Sequence, residues 1–167
     1  MTLYLDMDGV IANFFDGFAH RFGYKHWKQI QNKEQSILEL KNTDFFNTLD
    51  VYPTTFELVD FVKNLMGDDW GICSSPLRGD RDNSAYWKRV WLTKHDILPK
   101  VENIIFTGTK EKWATDPIDG KPNILVDDKP DNIARWIAKG GIGIRYQANE
   151  DSLLELKNKL IKAVESS

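Results

Sequence analysis

Short apolar runs alternate with longer amphipathic stretches along the chain. Each of the first four runs is followed at once by polar residues, and the fifth contains Gly143. This alternation predicts a parallel sheet with helices on both faces, and the fifth run, which contains Gly143, is expected near an edge of that sheet. The runs cover residues 2–5, 70–73, 104–106, 124–126 and 142–146.

Helix-boundary signals occupy the stretches between the runs. Thr54 with Glu57 has the pattern of a capping box, and Gly67 marks a stop at the end of the same helix. Pro130 suits a first helical position, and Gly140 follows the end of that later helix. The first of these helices is predicted to have one apolar face, formed by Phe56, Val59, Val62 and Met66.

Residues 14–51 do not fit the alternation. They contain no convincing strand and instead predict two or three short helices rich in Phe, Trp, Lys and Gln. We interpret this stretch as a small helical cap inserted after strand 1. The predicted fold is α/β, with a Rossmann-like parallel sheet of about five strands. Residues 1–13 and 52–167 would form this core, and residues 14–51 the cap.

Composition narrows the class of protein. Hydrophobic residues make up 41% of the chain and charged residues 28%, as in a globular domain. No apolar segment has the length of a membrane helix and no secretory pattern opens the chain, so a cytoplasmic protein without a membrane partner is expected. The formal net charge of −3 gives no sign of the basic surface on which stable nucleic-acid binding depends.

Polar groups suited to chemistry follow each of the first four runs. In an open parallel sheet, ligands bind beyond the carboxyl ends of the strands, so these groups are expected to meet at one edge. Any one of them would be unremarkable in a loop, but together they place carboxylates, hydroxyls and an amine in one region. In chain order they are Asp6 and Asp8, Ser74 and Ser75, Lys110 or Lys112, and Asp127 and Asp128.

This combination favours phosphoryl-transfer chemistry. Clustered carboxylates repel one another, and a hard divalent cation such as magnesium (Mg2+) neutralises them beside a phosphate. A lysine and hydroxyls stabilise the oxygens of the transferring group, and an aspartate can attack phosphorus. Asp6 and Asp8 are two residues apart and so point the same way at a strand end, where one can attack while the other handles a proton.

Each element also has a simpler interpretation. The Asp-x-Asp-Gly pattern could begin a calcium loop, but Gly17 stands where such a loop needs its final Glu. Acidic residues before Pro130 also suit an ordinary helix N-terminus, adjacent serines are common in turns, and most lysines are solvated. Cys73 is interpreted as a small buried strand residue rather than a nucleophile.

Three segments together resemble the signature segments of the haloacid dehalogenase superfamily. More narrowly, they are similar to those of the 5′(3′)-deoxyribonucleotidase family, which has bacterial and bacteriophage members. The resemblance extends in segment order from residue 2 to about residue 146, and it is most specific in the first and last segments taken together. The segments are Leu-Asp-Met-Asp-Gly-Val-Ile-Ala at 5–12, Ile-Cys-Ser-Ser-Pro at 72–76 and Leu-Val-Asp-Asp-Lys-Pro at 125–130.

The resemblance implies a role for each candidate residue. Asp6 would be the nucleophile, and Asp8 would protonate the leaving oxygen and then activate water. Ser74 would bind the phosphoryl group and Lys110 would stabilise its charge. Magnesium would be held by Asp6, the backbone carbonyl of Asp8 and the pair Asp127 and Asp128, with Asp128 favoured as the direct ligand. The presence of Asp8 also argues against haloacid dehalogenation, since enzymes of that type lack the second acid.

The chain departs from the family pattern in three places. Ser74 stands where the family commonly has Thr, and Gly108 stands where some relatives have Arg. An insertion at 117–122 separates the lysine segment from the aspartate pair and leaves both Lys110 and Lys112 as candidates. We favour Lys110, because it would lie just ahead of a short helix.

The resemblance implies (deoxy)nucleoside monophosphates as substrates, with the cap closing over the nucleoside. Phe14 and Trp27 are candidates for stacking on the base, and Ser75 and Lys112 for other substrate contacts, although both aromatic residues could simply pack cap against core. A phosphatase of the same superfamily acting on sugar phosphates or nucleic-acid ends is an alternative. A non-catalytic phosphate-binding module is another.

Overall fold

A five-stranded parallel sheet organises the computed structural model, which describes all residues 1–167. The strand order is β3-β2-β1-β4-β5, so the first strand lies at the centre and the last at an edge. Both the fold class and the edge position of the fifth strand are confirmed. The strands are β1 (Leu3–Leu5), β2 (Trp70–Ser74), β3 (Ile104–Phe106), β4 (Ile124–Asp127) and β5 (Ile142–Arg145).

Apolar cores cover both faces of the sheet, as continuous apolar strands require. Leu3 and Leu5 belong to the larger core cluster, and Tyr4, between them, belongs to the smaller one. The smaller cluster includes Trp136, whose indole N–H donates to the carbonyl of Asn123 at 3.0 Å. The helices are α1 (Phe14–Arg21), α2 (Lys33–Leu38), α3 (Thr55–Met66), α4 (Arg81–Lys94), α5 (Pro130–Ala138) and α6 (Leu153–Glu165).

Helix α3 differs from its sequence prediction in two details. The side chain of Thr54 makes no capping hydrogen bond, although the helix begins at the next residue. The buried stripe runs through Leu58, Val59 and Val62, while Phe56 is 47% exposed. The stripe is displaced because the hydroxyl of Thr55 turns inward and donates to the carbonyl of Ile11 at 2.7 Å. Gly67 ends the helix with a φ of 62°, as predicted.

The stretch between β1 and α3 is helical, with α1, α2 and 3₁₀ turns at Trp27–Gln29 and Phe45–Thr48. Its second half is held against α4: the indole N–H of Trp91 donates to the carbonyl of Leu49 at 2.7 Å, and Asn83 donates to the carbonyl of Thr43 at 3.0 Å. Phe45 and Phe46 belong to the same core cluster as the central strand. The division into a cap at 14–51 and a core stays a prediction.

None of the helices combines the length and the apolar character needed to cross a membrane.

Candidate active site

The carboxyl ends of the two central strands bring acidic residues together. Leu5 of β1 pairs with Val126 of β4, and the backbone N–H of Asp6 donates to the carbonyl of Val126 at 2.9 Å. Asp6 and Asp127 therefore leave the sheet side by side. Carboxylate oxygens of Asp6, Asp127 and Asp128 lie within 4.8 Å of one another, and all three residues are buried. This closeness is the source of the repulsion that the rest of the site must offset.

Lys110 offsets part of this negative charge. Its Nζ donates to Asp6 Oδ1 at 2.9 Å and to Asp127 Oδ2 at 2.7 Å, and its side chain is 3% exposed. Burial alone would lower the pKa of Lys110, but the carboxylates of Asp6 and Asp127 outweigh this and raise it above its ordinary value. The amine is therefore held as a cation beside Asp6 and Asp127. Of the two lysine candidates, the structure brings Lys110 into the cluster and leaves Lys112 exposed.

Asp127 is held by the protein at both of its oxygens. Oδ1 accepts from the backbone N–H of Lys129 at 2.9 Å, and Oδ2 accepts from Asn132 at 3.0 Å as well as from Lys110. Burial and the nearby charge of Asp6 raise the pKa of Asp127, while the hydrogen bonds oppose that rise. Its carboxylate is thus fixed in orientation at the start of α5.

Asp128 lacks such partners. Its Oδ1 is buried and accepts no hydrogen bond from the protein. Burial, followed by the charges of Asp6 and Asp127, raises the pKa of Asp128 to about 8. An orphaned buried carboxylate oxygen beside two further carboxylates is a group that a cation would satisfy.

Asp8 is bound by a lysine that the sequence analysis did not identify. Lys88 of α4 donates to Asp8 Oδ2 at 3.0 Å, to Ser74 Oγ at 2.8 Å and to the carbonyl of Ser75 at 2.8 Å, and its side chain is 1% exposed. The signal available in the sequence was its position: Lys88 occupies the buried face of α4 together with Trp91 and Leu92, where an unpaired lysine would be costly.

A cavity of about 490 Å³, including its open mouth, lies over these groups. Phe14 and Ser75 line it as proposed from the sequence, but Trp27 does not. Trp27 packs on Phe15 instead, with ring centroids 5.1 Å apart, and Phe15 itself lines the cavity. The full lining is Asp6, Asp8, Phe14, Phe15, Ser75, Lys110, Asp128, Lys129 and Asn132.

Two other candidates lie away from the cavity wall. Ser74, expected to bind the phosphoryl group, is fully buried and accepts from Lys88, because it is still part of β2 where neighbouring strands cover it. Lys112 points to solvent, since the 3₁₀ turn Lys110–Trp113 directs only its first lysine inward. Ser75, one residue beyond the strand, is the serine that lines the cavity.

Comparisons with curated proteins give relatives of one kind. The chain is 28% identical over 152 residues to the mitochondrial 5′(3′)-deoxyribonucleotidase of Mus musculus, which covers 78% of this chain. It is 28% identical over 154 residues to the mitochondrial 5′(3′)-deoxyribonucleotidase of Homo sapiens, again with 78% of this chain. The chain spans 66% and 63% of the lengths of these two relatives. The cytoplasmic location expected from the sequence stays a prediction.

The fold has a solved counterpart. A haloacid dehalogenase family enzyme of Bacteroides thetaiotaomicron, crystallised as a magnesium complex, matches with a TM-score of 0.51 over 93% of this chain and 97% of its own, at 14% identity. No protein-family model matches the chain. The chain is therefore similar in sequence to the 5′(3′)-deoxyribonucleotidases, and its fold is similar to that of a haloacid dehalogenase family enzyme.

Proposed function

We propose that this chain is a magnesium-dependent phosphomonoesterase that hydrolyses nucleoside monophosphates through a phosphorylated Asp6. The observation that carries the proposal is the convergence of two acids, one lysine and an unpartnered carboxylate on a single cavity. Asp6, Asp8, Lys110 and Asp128 all line that cavity. A nucleophile, a proton donor, a cation and a metal ligand are the parts that phosphoryl transfer needs.

The donor set fits magnesium. Magnesium takes oxygen ligands and is usually held by one or two carboxylates beside a phosphate. Asp6 and Asp128 supply carboxylates here, the backbone carbonyl of Asp8 is a further candidate ligand, and the orphaned Asp128 Oδ1 needs a partner. When bound, magnesium would neutralise the charge that builds up on the phosphoryl oxygens. Asp127 supports the site by holding Lys110 and the start of α5.

The first half-reaction uses Asp6 and Asp8. A carboxylate oxygen of Asp6 forms a bond to phosphorus while the bond from phosphorus to the ester oxygen breaks. Protonated Asp8 gives its proton to the departing oxygen, which leaves as the alcohol of the nucleoside. Lys110, which donates to Asp6 Oδ1 in the resting protein, stays beside the phosphoryl group and stabilises its negative charge.

The second half-reaction reverses the proton transfer. The carboxylate of Asp8 takes a proton from water, and the water oxygen attacks phosphorus. The bond between phosphorus and Asp6 then breaks, which releases inorganic phosphate and restores the Asp6 carboxylate. Asp8 ends protonated and ready for the next substrate, so atoms and charge balance over the cycle.

Two observations support a nucleotide substrate. The curated relatives are named as deoxyribonucleotidases. The cavity also has an aromatic wall formed by Phe14 and Phe15 near the acidic floor. A flat aromatic face suits a nucleobase, because base–aromatic stacking contributes about 1–3 kcal/mol per base.

An assay with an aryl phosphate tests the enzyme class. We expect release of phosphate that requires magnesium, is abolished by a chelator and is lost in Asp6→Asn, which keeps the shape of the side chain but removes its nucleophilic oxygen. Asp119→Asn, which changes an exposed aspartate in the same way, is the matched control. Retention of full activity in Asp6→Asn or in chelator would rule out this mechanism.

A substrate panel tests the finer assignment. We expect kcat/KM for nucleoside monophosphates to exceed that for sugar phosphates and for phosphorylated oligonucleotide ends. Preference for sugar phosphates or for nucleic-acid ends would move the chain to another branch of the same superfamily. Binding of phosphate without turnover of any substrate would favour a non-catalytic module.

A further inference from the structure

We propose that Lys88 is a positioning residue that orients the carboxylate of Asp8 for proton transfer, an inference that rests on the proposed function. Lys88 is separate from Lys110, the lysine to which the family resemblance assigns stabilisation of the phosphoryl charge. It lies on α4, and its ammonium reaches the end of β2 and the loop after β1. Two buried lysines thus serve the site, with Lys110 on the nucleophile and Lys88 on the acid–base residue.

The Asp8 carboxylate depends on Lys88 for its orientation. The bond from Lys88 Nζ to Asp8 Oδ2, at 3.0 Å, is the single hydrogen bond that this carboxylate receives. Its other oxygen, Oδ1, is buried and has no partner. Without Lys88, Asp8 would be a cavity-lining carboxylate with no group to fix its rotation about the Cα–Cβ and Cβ–Cγ bonds.

Lys88 is itself anchored independently of Asp8. Its Nζ also donates to Ser74 Oγ and to the carbonyl of Ser75, both at 2.8 Å, and it lies 4.8 Å from the centroid of the Phe46 ring. Ser74 belongs to β2, so the position of the ammonium is set by the sheet rather than by the loop that carries Asp8. Lys88 therefore transmits the rigidity of the sheet to the acid–base residue.

The geometry also indicates what Lys88 does not do. An ammonium has three N–H groups, and those of Lys88 have Asp8, Ser74 and Ser75 as acceptors. No donor remains for a phosphoryl oxygen, and Lys88 does not line the cavity. Its effect on the reaction must therefore pass through the groups that it holds, and of these Asp8 is the one to which proton transfer is assigned.

This role has a kinetic signature. Protonation of the departing oxygen matters most when the alcohol or phenol is a poor leaving group and least when it is a good one. If Asp8 is misplaced, the rate of ester cleavage should therefore fall more for leaving groups of higher pKa than for those of lower pKa. A general loss of packing would lower the rates of all substrates by the same factor.

The test uses substituted phenyl phosphates whose phenols span several pKa units but have similar size. Positioned proton transfer contributes about 10²–10⁴ in rate, so we expect Lys88→Met to lower kcat/KM by about 10² for the poorest leaving group. For the best leaving group the loss should be about tenfold smaller. Asp8→Asn should steepen the dependence of kcat/KM on the pKa of the leaving group in the same way.

Two further variants make the test specific. If Lys88 acts through Asp8, Asp8→Asn combined with Lys88→Met should be no slower than Asp8→Asn alone. The double variant should also unfold at a higher temperature than Lys88→Met, which leaves the partly buried carboxylate of Asp8 without its partner. Lys159→Met, which removes an exposed lysine of α6 far from the site, should match the wild type.

Several outcomes would overturn the inference. Equal losses for all leaving groups, or losses that multiply in the double variant, would make Lys88 a purely structural residue. If Lys88→Met does not fold, the series is measured on Lys88→Gln, and failure of both to fold would also make the role structural. If the wild-type protein has no magnesium-dependent phosphatase activity, both the proposed function and this inference are wrong. If the wild type is active, the Lys88 variants test the role of Lys88 alone.

Discussion

Gly9 lies directly against the carboxylate of Asp128. A Cβ at position 9 would stand 2.6 Å from Asp128 Oδ2 and 2.7 Å from its Cγ, and the backbone there has a φ of +85°. Only glycine allows both the left-handed backbone and this close approach. The loop after β1 is thereby brought close to the acidic residue that follows β4.

A methyl group at position 9 is expected to disrupt the proposed magnesium site. Gly9→Ala would force the Asp128 carboxylate out of its position and strain the loop, so we expect a much higher magnesium requirement and loss of most phosphatase activity. The measurement is the magnesium dependence of kcat. Gly120→Ala is the matched control, because its φ is +71° but no atom lies within 4 Å of its added Cβ. Equal effects of the two substitutions would show that backbone strain alone is responsible.

Lys110 and Lys112 are expected to behave differently although they are two residues apart. Loss of one group that stabilises transition-state charge typically costs about 10²–10³ in kcat, and we expect that range for Lys110→Met. Lys112→Met should keep wild-type kinetics, because that side chain is exposed outside the cavity. Steady-state kinetics on one aryl phosphate, with thermal melts to verify folding, distinguish the two. A larger loss in Lys112→Met would contradict the assignment.

The stability of the metal-free protein should fall as pH rises through the titration of Asp128. Burial and the charges of Asp6 and Asp127 raise the pKa of Asp128 from 3.8 to about 8. A carboxyl whose pKa is higher in the folded state contributes stability that is present below the unfolded value and lost as pH rises through the folded value. We therefore expect the free energy of unfolding in chelator to decrease between about pH 4 and pH 8.

Magnesium should reverse this trend. Metal ligands bind in their ionised form, so magnesium competes with the proton on Asp128. We expect the increase in Tm on adding magnesium to be larger at about pH 8 than at about pH 5. This difference between the two pH values should be smaller in Asp128→Asn. An increase in Tm that is independent of pH would mean that Asp128 is ionised without metal.

Local signals predicted the sheet and most of the acidic site. A strand-length apolar run predicts a strand, and Asp6 or Asp127 directly after such a run marks the carboxyl end of that strand, where ligands bind. Neighbouring residues are therefore enough to predict the position of these two acids. The final turn of α3 was predicted for the same reason, because Gly67 alone ends it. Structural features that depend on a few neighbouring residues could therefore be predicted from the sequence.

Contacts set by tertiary packing were not predictable in this way. Lys88 and Asp8 are 80 residues apart, and α4 alone gives no indication that its buried lysine faces the loop after β1. Trp27 has a polar sequence neighbourhood that suggested the cavity wall, yet it packs on Phe15. The exposure of Phe56 also depends on a distant contact, because the hydrogen bond from Thr55 to Ile11 displaces the buried stripe of α3.

Phe15, rather than Phe14, is expected to discriminate nucleotides from small aryl phosphates. Both side chains line the cavity. Phe14, however, is packed among aromatic residues, with its ring centroid 5.2 Å from that of Phe18 and 5.9 Å from that of Phe45. Its removal would leave a void among these packed rings. Phe15 packs on Trp27 at the edge of the cavity and can be removed with less structural damage.

The comparison is made with kcat/KM on a nucleoside monophosphate and on a small aryl phosphate. If Phe15 stacks on the base, Phe15→Ala should lower kcat/KM about tenfold on the nucleotide, which is about 1.4 kcal/mol and lies within the range of the stacking energy, and much less on the aryl phosphate. Trp27→Ala should show the same selectivity with a smaller loss, because Trp27 acts by supporting Phe15. Phe14→Ala should lower both rates together and reduce Tm, since it opens a cavity among packed rings. Equal losses on the two substrates in Phe15→Ala would remove the aromatic wall as an argument for a nucleotide substrate and leave the curated relatives as its support.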